Sequence, residues 1–299
     1  MHNLSKLNWL RGLRTLFRRN KPNIPAELWQ SCVNRLPFLR NLPVADLARL
    51  KNLSEQLLAT KTITGAAGLE ITDEIAVMIV AQAALLVLNL TLDLYEDMPG
   101  IVVYPSAFLV KQKQMDGAGV MHEWGEALAG QAIDAGGAVV LSWEDVMGST
   151  DFWSRRNVVI HEFAHKIDMQ RGRANGCPRF LAGYHEGLQV ETWQRVFAAA
   201  YNDFRRRVLS LERPLPDHPA LAEETLRQLH EAGRRPLPMD TYAAKNPAEF
   251  FAVASEVFFV APSGLAIDYP DVYRLLARYY RQEPIAAPTE TPNSMRMHL

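Results

Sequence analysis

Five consecutive residues, His161-Glu162-Phe163-Ala164-His165, have the types and spacing of a metal site on a helix. Histidines four positions apart on an α-helix project from the same face, so both imidazoles can bind one metal ion. The glutamate that follows the first histidine can then accept a proton from a water molecule that the metal activates. This HExxH pattern is typical of zinc peptidases, in which the glutamate is the general base. The alternative interpretation is a pair of ordinary histidines beside a solvated glutamate.

The residues around the motif predict a helix whose other faces are buried. Ser149-Thr150-Asp151 offers N-cap residues before the motif, and the segment from Val158 to Ile167 is rich in apolar residues. Lys166 and Arg171 come late in the segment, where cations suit the helix dipole, and Gly172 is the expected stop. We therefore expect the motif to lie in the middle of a helix, where a metal site would be partly shielded from solvent.

A catalytic zinc ion normally takes three protein ligands and keeps one position open, so a third ligand is required. The best candidate lies in a helix predicted to begin at Asn246-Pro247, because proline suits the first helical position. Glu249 falls in the first turn of that helix, and Glu256 follows two turns later on nearly the same face. A carboxylate in so apolar a helix needs a partner, and zinc would be one. Alternatively, Glu249 caps the helix and Glu256 forms a salt bridge, and the residues alone leave these alternatives open.

Several segments resemble the Mlc titration factor family, a group of bacterial zincin metallopeptidases related to the catalytic domain of anthrax lethal factor. The resemblance is distinct over about residues 100–172 and 240–262. It is carried by His161 to Asp168, by the seven-residue spacing from Tyr242 to Glu249, by Ala248-Glu249-Phe250-Phe251-Ala252, by Gly125-Glu126, and by Val139-Val140-Leu141-Ser142-Trp143.

The resemblance implies a role for each site residue. His161, His165 and Glu249 would bind one zinc ion per chain. Glu162 would be the general base for a zinc-activated water, and Tyr242 would donate a hydrogen bond to the developing oxyanion. Whether Glu256 or Asp168 also assists the metal is left open by the residues and by the resemblance.

The resemblance also implies the fold and the activity. The implied fold is α+β and zincin-like, mostly helical, with a small mixed sheet whose edge strand flanks the HExxH helix. The implied function is that of a zinc-dependent, aminopeptidase-like peptidase that also binds the glucose-regulon repressor Mlc. The alternative is a regulator-binding protein in which the zincin fold serves mainly as a scaffold.

Two neighbouring features bear on the site. Ala138-Val139-Val140-Leu141 reads as a short strand; at a sheet edge it would let a peptide substrate add as a further strand, and otherwise it is an ordinary core strand. Asp168 is nearly in line with His161 on the helix and is a candidate to orient a zinc ligand, with a surface salt bridge as the alternative.

Other histidines and acids are not assigned to the site. His122, Glu123 and Glu126 lie in a Gly-rich segment, residues 115–137, that is predicted to be a loop. His185 precedes a glutamate but lacks the second histidine of the motif, so we interpret it as a structural residue.

Composition narrows the functional class. The chain has 299 residues, 48% of them hydrophobic, which supports one large domain or a core domain with a smaller attachment. Its formal net charge is −1, so no overall electrostatic field attracts it to nucleic acid. Direct DNA binding through Arg205-Arg206-Arg207 and Arg234-Arg235 is a weak hypothesis, because arginines without a recognition helix usually form a solvated face. Cys32 and Cys177 are far apart, which excludes a disulfide scaffold and favours a cytoplasmic location.

Three segments are predicted along the chain. Residues 1–24 form a basic tail, and a peripheral membrane contact through residues 1–21 is the alternative to a packed helix or loose tail. Residues 25–283 form the peptidase domain, with a helical part at about 25–95 and a catalytic part at about 96–283. Within it, residues 203–239 are an excursion that forms a lid, a partner surface or a surface loop. Residues 284–299 are proline-rich and are predicted to be disordered.

The most apolar run is Ile75 to Leu88, and it contains a single glutamine, Gln82. It is too short to cross a bilayer. Because Thr72-Asp73-Glu74 supplies an N-terminal cap, we expect a buried helix over residues 72–90.

Overall fold

The structure is a computed structural model that describes residues 23–106, 108–115, 121–128, 130–132, 137–149, 156–211 and 237–285. The predictions for the basic N-terminal tail, for most of the excursion, and for the C-terminal tail fall outside these ranges. The division into segments therefore stays a prediction.

Helices make up most of the described residues, which confirms the predicted mostly helical fold. The α-helices are α1 (Ala26–Arg35), α2 (Val44–Thr60), α3 (Asp73–Leu86), α4 (Trp143–Gly148), α5 (Val158–Asp168), α6 (Val190–Leu211), α7 (Pro247–Val260), α8 (Pro262–Asp268) and α9 (Pro270–Tyr280). Short 3-10 helices lie at Pro37–Leu39, Leu92–Tyr95, Met169–Arg171 and Thr241–Ala244.

A small mixed sheet accompanies the helices, as predicted. Its strands are β1 (Thr62–Gly65), β2 (Gly100–Tyr104), β5 (Gly130–Ala132) and β6 (Val139–Ser142), in the spatial order β1-β2-β6-β5. The first three strands in this order run parallel, and β5 is antiparallel to β6. Helix α3 connects β1 to β2, as parallel neighbours require a crossover.

The edge of the sheet differs from the prediction. The segment Ala138-Val139-Val140-Leu141 forms most of β6, which is paired on both sides, with Ile101 opposite Val139 and Gly130 opposite Leu141. Strand β5 is instead the edge strand on this side of the described sheet, and it contacts α5. The core-strand alternative is thus correct for residues 139–141: all three are buried, as expected for a strand paired on both sides.

The prediction of a Gly-rich loop over residues 115–137 is also largely wrong. Strands β3 (Phe108–Met115) and β4 (Met121–Leu128) form an antiparallel pair, with Lys111 opposite Gly125. Single glycines in the sequence favour a loop, but a glycine can lie within a strand when the residues on either side pair across the ladder. His122, Glu123 and Glu126 consequently lie on β4.

Two helices form the centre of the hydrophobic core. In α3, every residue from Ile75 to Leu86 is buried, and in α7 every residue from Phe250 to Phe259 is buried. A helix that is apolar all round must be covered on all sides. Helix α5 contacts both α3 and α7, so the HExxH motif is held against the core. None of the described helices combines the length and apolar character needed to span a membrane.

Candidate metal centre

The HExxH helix begins later than the sequence predicts. Its N-cap is Asn157, whose Oδ1 accepts a hydrogen bond from the backbone N–H of Ile160 at 2.9 Å. Ser149 instead ends α4, and Thr150 and Asp151 lie outside the described residues. Ser149 still contributes, because its Oγ accepts from the N–H of Val158 at 3.3 Å. The N-terminal donors of α5 are therefore satisfied by one local and one more distant side chain.

The helix that carries the third candidate ligand begins where predicted. Asn246 is the N-cap of α7, Pro247 is the first helical residue, and the Oδ1 atom of Asn246 accepts from the N–H of Glu249 at 3.0 Å. This bond fixes the backbone of Glu249 in the first turn. Its carboxylate is directed toward α5, where Oε2 lies 3.1 Å from the Nε2 atom of His161.

Three side chains converge between α5 and α7. The Nε2 atoms of His161 and His165 lie 3.1 Å apart, and each lies 3.1 Å from the Oε2 atom of Glu249. The ligands of a tetrahedral zinc ion, about 2.0–2.1 Å from the metal, lie about 3.3 Å from one another. Two imidazole nitrogens and one carboxylate oxygen are also a donor set that suits zinc. The residues present therefore fit a zinc ion bound by the predicted three ligands.

The charges at the site also favour a bound cation. Burial alone would lower the pKa of His161, but the Glu256 carboxylate and the hydrogen bond to Glu249 raise it well above its usual value. Burial would raise the pKa of Glu249, but its hydrogen bonds to His161 and His165 hold it well below its usual value. Both shifts have one cause: acidic groups packed against these imidazoles stabilise positive charge, which a metal ion can supply as well as a proton.

The two predicted catalytic side chains lie beside this cluster. Glu162 is 4% exposed on α5, next to His161, and its charge contributes to the raised pKa of that histidine. Tyr242 lies on the 3-10 helix Thr241–Ala244, where the Oδ1 atom of Asp240 accepts from its backbone N–H at 2.8 Å. Its hydroxyl donates to the Oε1 atom of Glu249 at 3.3 Å, and the residue is 38% exposed. The Tyr242 hydroxyl therefore lies within hydrogen-bonding distance of a candidate ligand, on a residue that a molecule from the solvent can reach.

Glu256 belongs to the site without being one of the three converging ligands. Its Oε1 atom lies 2.5 Å from Nδ1 of His161, and its Oε2 atom accepts from the backbone N–H of Asn157 at 2.6 Å. A carboxylate in this position accepts the proton on Nδ1, which leaves Nε2 of His161 as the nitrogen that can bind a metal. The ligand alternative for Glu256 is thus not supported, and its partner is a histidine rather than a lysine or arginine.

Asp168 is buried rather than at the surface. Its Oδ2 atom accepts from the backbone N–H groups of Asn175 and Gly176, at 2.8 and 2.7 Å. Burial raises the pKa of Asp168, and these hydrogen bonds lower it in part. Gly176 has a φ of +82°, and a Cβ at this position would lie 2.5 Å from the carbonyl oxygen of Pro247. Asp168 therefore holds the turn after α5 against the start of α7, and the surface salt bridge is excluded by this burial.

Comparison with known proteins identifies the family of the chain. The sequence model of the family described as glucose-regulated metallo-peptidase M90 matches residues 8–281. The chain belongs to this family. Mlc titration factor A of Yersinia pestis (strain Pestoides F) is 31% identical over 287 residues, which cover 95% of each chain. An uncharacterized protein of Synechocystis sp. is 32% identical over 274 residues, 91% of this chain and 88% of its own. The predicted resemblance to the Mlc titration factor family is thus confirmed.

For this M90 family member, the structure also assigns a position to His185. It is 5% exposed, its Nδ1 atom accepts from the N–H of Leu181 at 2.8 Å, and its Nε2 atom donates to the carbonyl oxygen of Tyr279 at 2.9 Å. Both ring nitrogens are used in these bonds, which agrees with the structural interpretation.

Asn157 was not identified from the sequence, and neither was the contact between Glu256 and His161. The Ser149-Thr150-Asp151 triplet predicts an earlier N-cap than the one observed. The bond between Glu256 and His161 joins residues 95 positions apart, and no local pattern indicates it. The sequence does contain one signal for a polar contact near the metal centre: Gln82, the single amide in the most apolar helix.

Proposed function

We propose that this protein is a zinc-dependent, aminopeptidase-like peptidase that hydrolyses short peptides or exposed chain ends in the cytoplasm. The observation that carries the proposal is the mutual 3.1 Å approach of His161, His165 and Glu249, with the buried Glu162 next in sequence to the first ligand. This combination provides a metal site and a base on one helix. A protein that uses the fold only for binding has no evident need for the base.

The reaction follows from the position of each side chain. A bound zinc ion would supply Lewis acidity, which lowers the pKa of water and polarises a carbonyl group. Glu162 accepts the proton of the attacking water and later donates it to the leaving amine. The hydroxyl of Tyr242, which is 3.3 Å from Glu249, donates a hydrogen bond to the carbonyl oxygen as negative charge develops there.

The edge strand β5 offers a way to hold the substrate. Its backbone pairs with β6 on one side, and on the other side it is not paired with any described strand. An extended peptide can add to such an edge through main-chain hydrogen bonds. Because β5 contacts α5, a peptide bound there would run beside the helix that carries Glu162.

Two variants test the enzymatic proposal. Glu162→Gln keeps the size of the side chain but removes the base, so it should retain zinc and lose peptide hydrolysis. Among the described residues, Glu249 has the one carboxylate that approaches both imidazoles, so metal analysis of Glu249→Ala should show a large loss of bound zinc. Hydrolysis by Glu162→Gln at the wild-type rate would refute the mechanism, and full zinc occupancy in Glu249→Ala would move the third ligand elsewhere.

A second candidate function is binding of a transcriptional repressor of the Mlc type. It is favoured by the similarity along 95% of the chain to a Yersinia protein named Mlc titration factor A. The two functions are compatible, and the alternative is that the fold serves mainly as a scaffold for the regulator.

The Glu162→Gln variant also separates these functions. If the variant binds purified Mlc as tightly as the wild-type protein does, binding is independent of catalysis. A wild-type protein that binds zinc and Mlc but hydrolyses none of a broad set of aminoacyl and peptide chromogenic substrates would support the scaffold alternative.

A further inference from the structure

The most apolar helix of the protein contains one buried amide whose hydrogen bonds lead toward the metal centre. Gln82 lies in α3 and is 0% exposed. Its Nε2 atom donates to the carbonyl oxygen of Met78 at 2.8 Å, within the same helix. Its Oε1 atom accepts from Nδ2 of Asn157 at 2.7 Å. The first bond fixes which end of the Gln82 amide faces Asn157, so only a donor can lie opposite it.

This contact determines the orientation of the Asn157 amide. With Nδ2 turned toward Gln82, Oδ1 of Asn157 faces the N–H of Ile160 and caps α5 at 2.9 Å. In the opposite orientation, Nδ2 of Asn157 would face the N–H of Ile160, and both buried donors would lack an acceptor there. Gln82 therefore selects the orientation in which Asn157 is an effective N-cap.

The same residue is bonded to the partner of a metal ligand. The backbone N–H of Asn157 donates to Oε2 of Glu256 at 2.6 Å, and Oε1 of Glu256 lies 2.5 Å from Nδ1 of His161. Asn157 and Glu256 are 0% and 5% exposed. Buried hydrogen bonds are costly to replace by bonds to solvent. The position of each residue in this hydrogen-bonded series therefore restricts the position of the next.

We infer that Gln82 is a positioning residue of the metal centre, which acts through Asn157 and Glu256 on the orientation of His161. The inference rests on the proposed function only in requiring that the centre binds a metal. It goes beyond that function, because it assigns a role in metal binding to a residue of α3 that contributes no atom to the cluster.

The test is a measurement of metal binding that needs no peptidase activity. Gln82→Leu and Gln82→Met replace the amide by an apolar side chain, which suits the apolar helix α3. The zinc dissociation constant, measured by competition with a chelator, should rise about 3-fold to 10-fold, less than the 10-fold to 100-fold typical of direct partners of a ligand. The visible absorption spectrum of the cobalt-substituted protein should change as well, since it reports ligand orientation.

Tyr95→Phe is a matched control for the loss of a buried hydrogen bond at the same helix. The Tyr95 hydroxyl donates to the carbonyl oxygen of Ala83, the residue after Gln82, at 2.9 Å. This variant should lower the melting temperature and leave zinc affinity and the cobalt spectrum unchanged. If Tyr95→Phe weakens zinc binding as much as the Gln82 variants do, the effect is one of general stability and the inference is wrong.

A double-mutant cycle tests the route. If Gln82 acts through Glu256, the effect of Gln82→Met on zinc affinity should be largely lost in a Glu256→Gln background. Full additivity would overturn the inference. Wild-type zinc affinity in both Gln82 variants would also overturn it and leave the proposed function intact, whereas a wild-type protein that binds no zinc would refute both.

Discussion

Replacement of Glu256 by glutamine separates the charge of this residue from its shape. The carboxylate accepts two short hydrogen bonds, one from Nδ1 of His161 at 2.5 Å and one from the N–H of Asn157 at 2.6 Å. A glutamine offers one carbonyl oxygen, so one of the two donors would face an NH2 group instead. Hydrogen bonds to charged groups contribute about 1.5–3 kcal/mol and neutral bonds about 0.5–1.5 kcal/mol.

The expected magnitude follows from the bond to His161. Loss of its charged acceptor should cost about 1.4–2.8 kcal/mol of metal-binding free energy, which is a 10-fold to 100-fold increase in the zinc dissociation constant. The zinc affinity of the purified protein can be measured by competition with a chromophoric chelator. The free energy of unfolding of the metal-free protein, measured in urea, should fall as well, because the same bonds stabilise the fold.

Ser255→Ala is the control for this prediction. Ser255 precedes Glu256 on α7 and is buried, and its Oγ atom donates to the carbonyl oxygen of Phe251 and accepts from the hydroxyl of Tyr280. Its removal should lower stability without a change in zinc affinity. A zinc dissociation constant for Glu256→Gln within twofold of wild type, or an equal loss in Ser255→Ala, would contradict the assigned role of Glu256.

Three further predictions concern other parts of the structure. Tyr242→Phe should keep zinc and lower kcat for peptide hydrolysis by about 10²–10³, as for other oxyanion donors; steady-state kinetics beside metal analysis would show whether it does. Burial lowers the pKa of His185 below the value of about 6.5 in the unfolded chain, so its contribution to stability is complete above that pH and declines as pH falls. Urea unfolding should therefore show a wild-type advantage over His185→Gln that shrinks from pH 7.5 to pH 5.5; a constant difference would contradict this. Asn246→Ala should lower the free energy of unfolding by about 1 kcal/mol, whereas Asn246→Asp should be nearly neutral.

Helix α7 begins where the local sequence predicts, whereas α5 begins later than predicted. The HExxH motif and the Asn246-Pro247 start each define a helix and the face on which its ligands lie. The 3.1 Å approach of Glu249 to both histidines is what those two helices were expected to provide if they packed together. Helical periodicity and capping act within a few residues, so a single sequence contains them.

The errors have a common physical origin in the pairing of strands, which helical periodicity and capping do not describe. Residues 139–141 form a strand as predicted, but whether it lies at the edge depends on the pairing of β5, the strand just before it in the sequence. The glycines of residues 115–137 predict a loop, yet β4 pairs with β3 along its full length. Strand order and register are decided by partners, and a single sequence does not name the partner.

The position of Gln82 illustrates what a sequence does indicate about such contacts. An amide in a helix that is otherwise apolar is costly to bury unless it is hydrogen-bonded, so its presence predicts a polar partner. The partner, Asn157, is 75 residues away, and only the packed structure identifies it. A polar exception in an apolar helix is therefore a usable signal that some partner exists, although it does not say where.

The metal centre requires α5 and α7 to keep one relative position, and the structure ties them at both ends of α5. At its start, Glu256 of α7 binds both Asn157 and His161. At its end, Asp168 holds the turn that places Gly176 against the carbonyl oxygen of Pro247, the first residue of α7. A helix that is held at one end can still pivot about that end, whereas contacts at both ends of α5 prevent it from pivoting relative to α7. The approach of Glu249 to both imidazoles is thus set by contacts on either side of it, and this explains why buried polar residues that bind no metal surround the site.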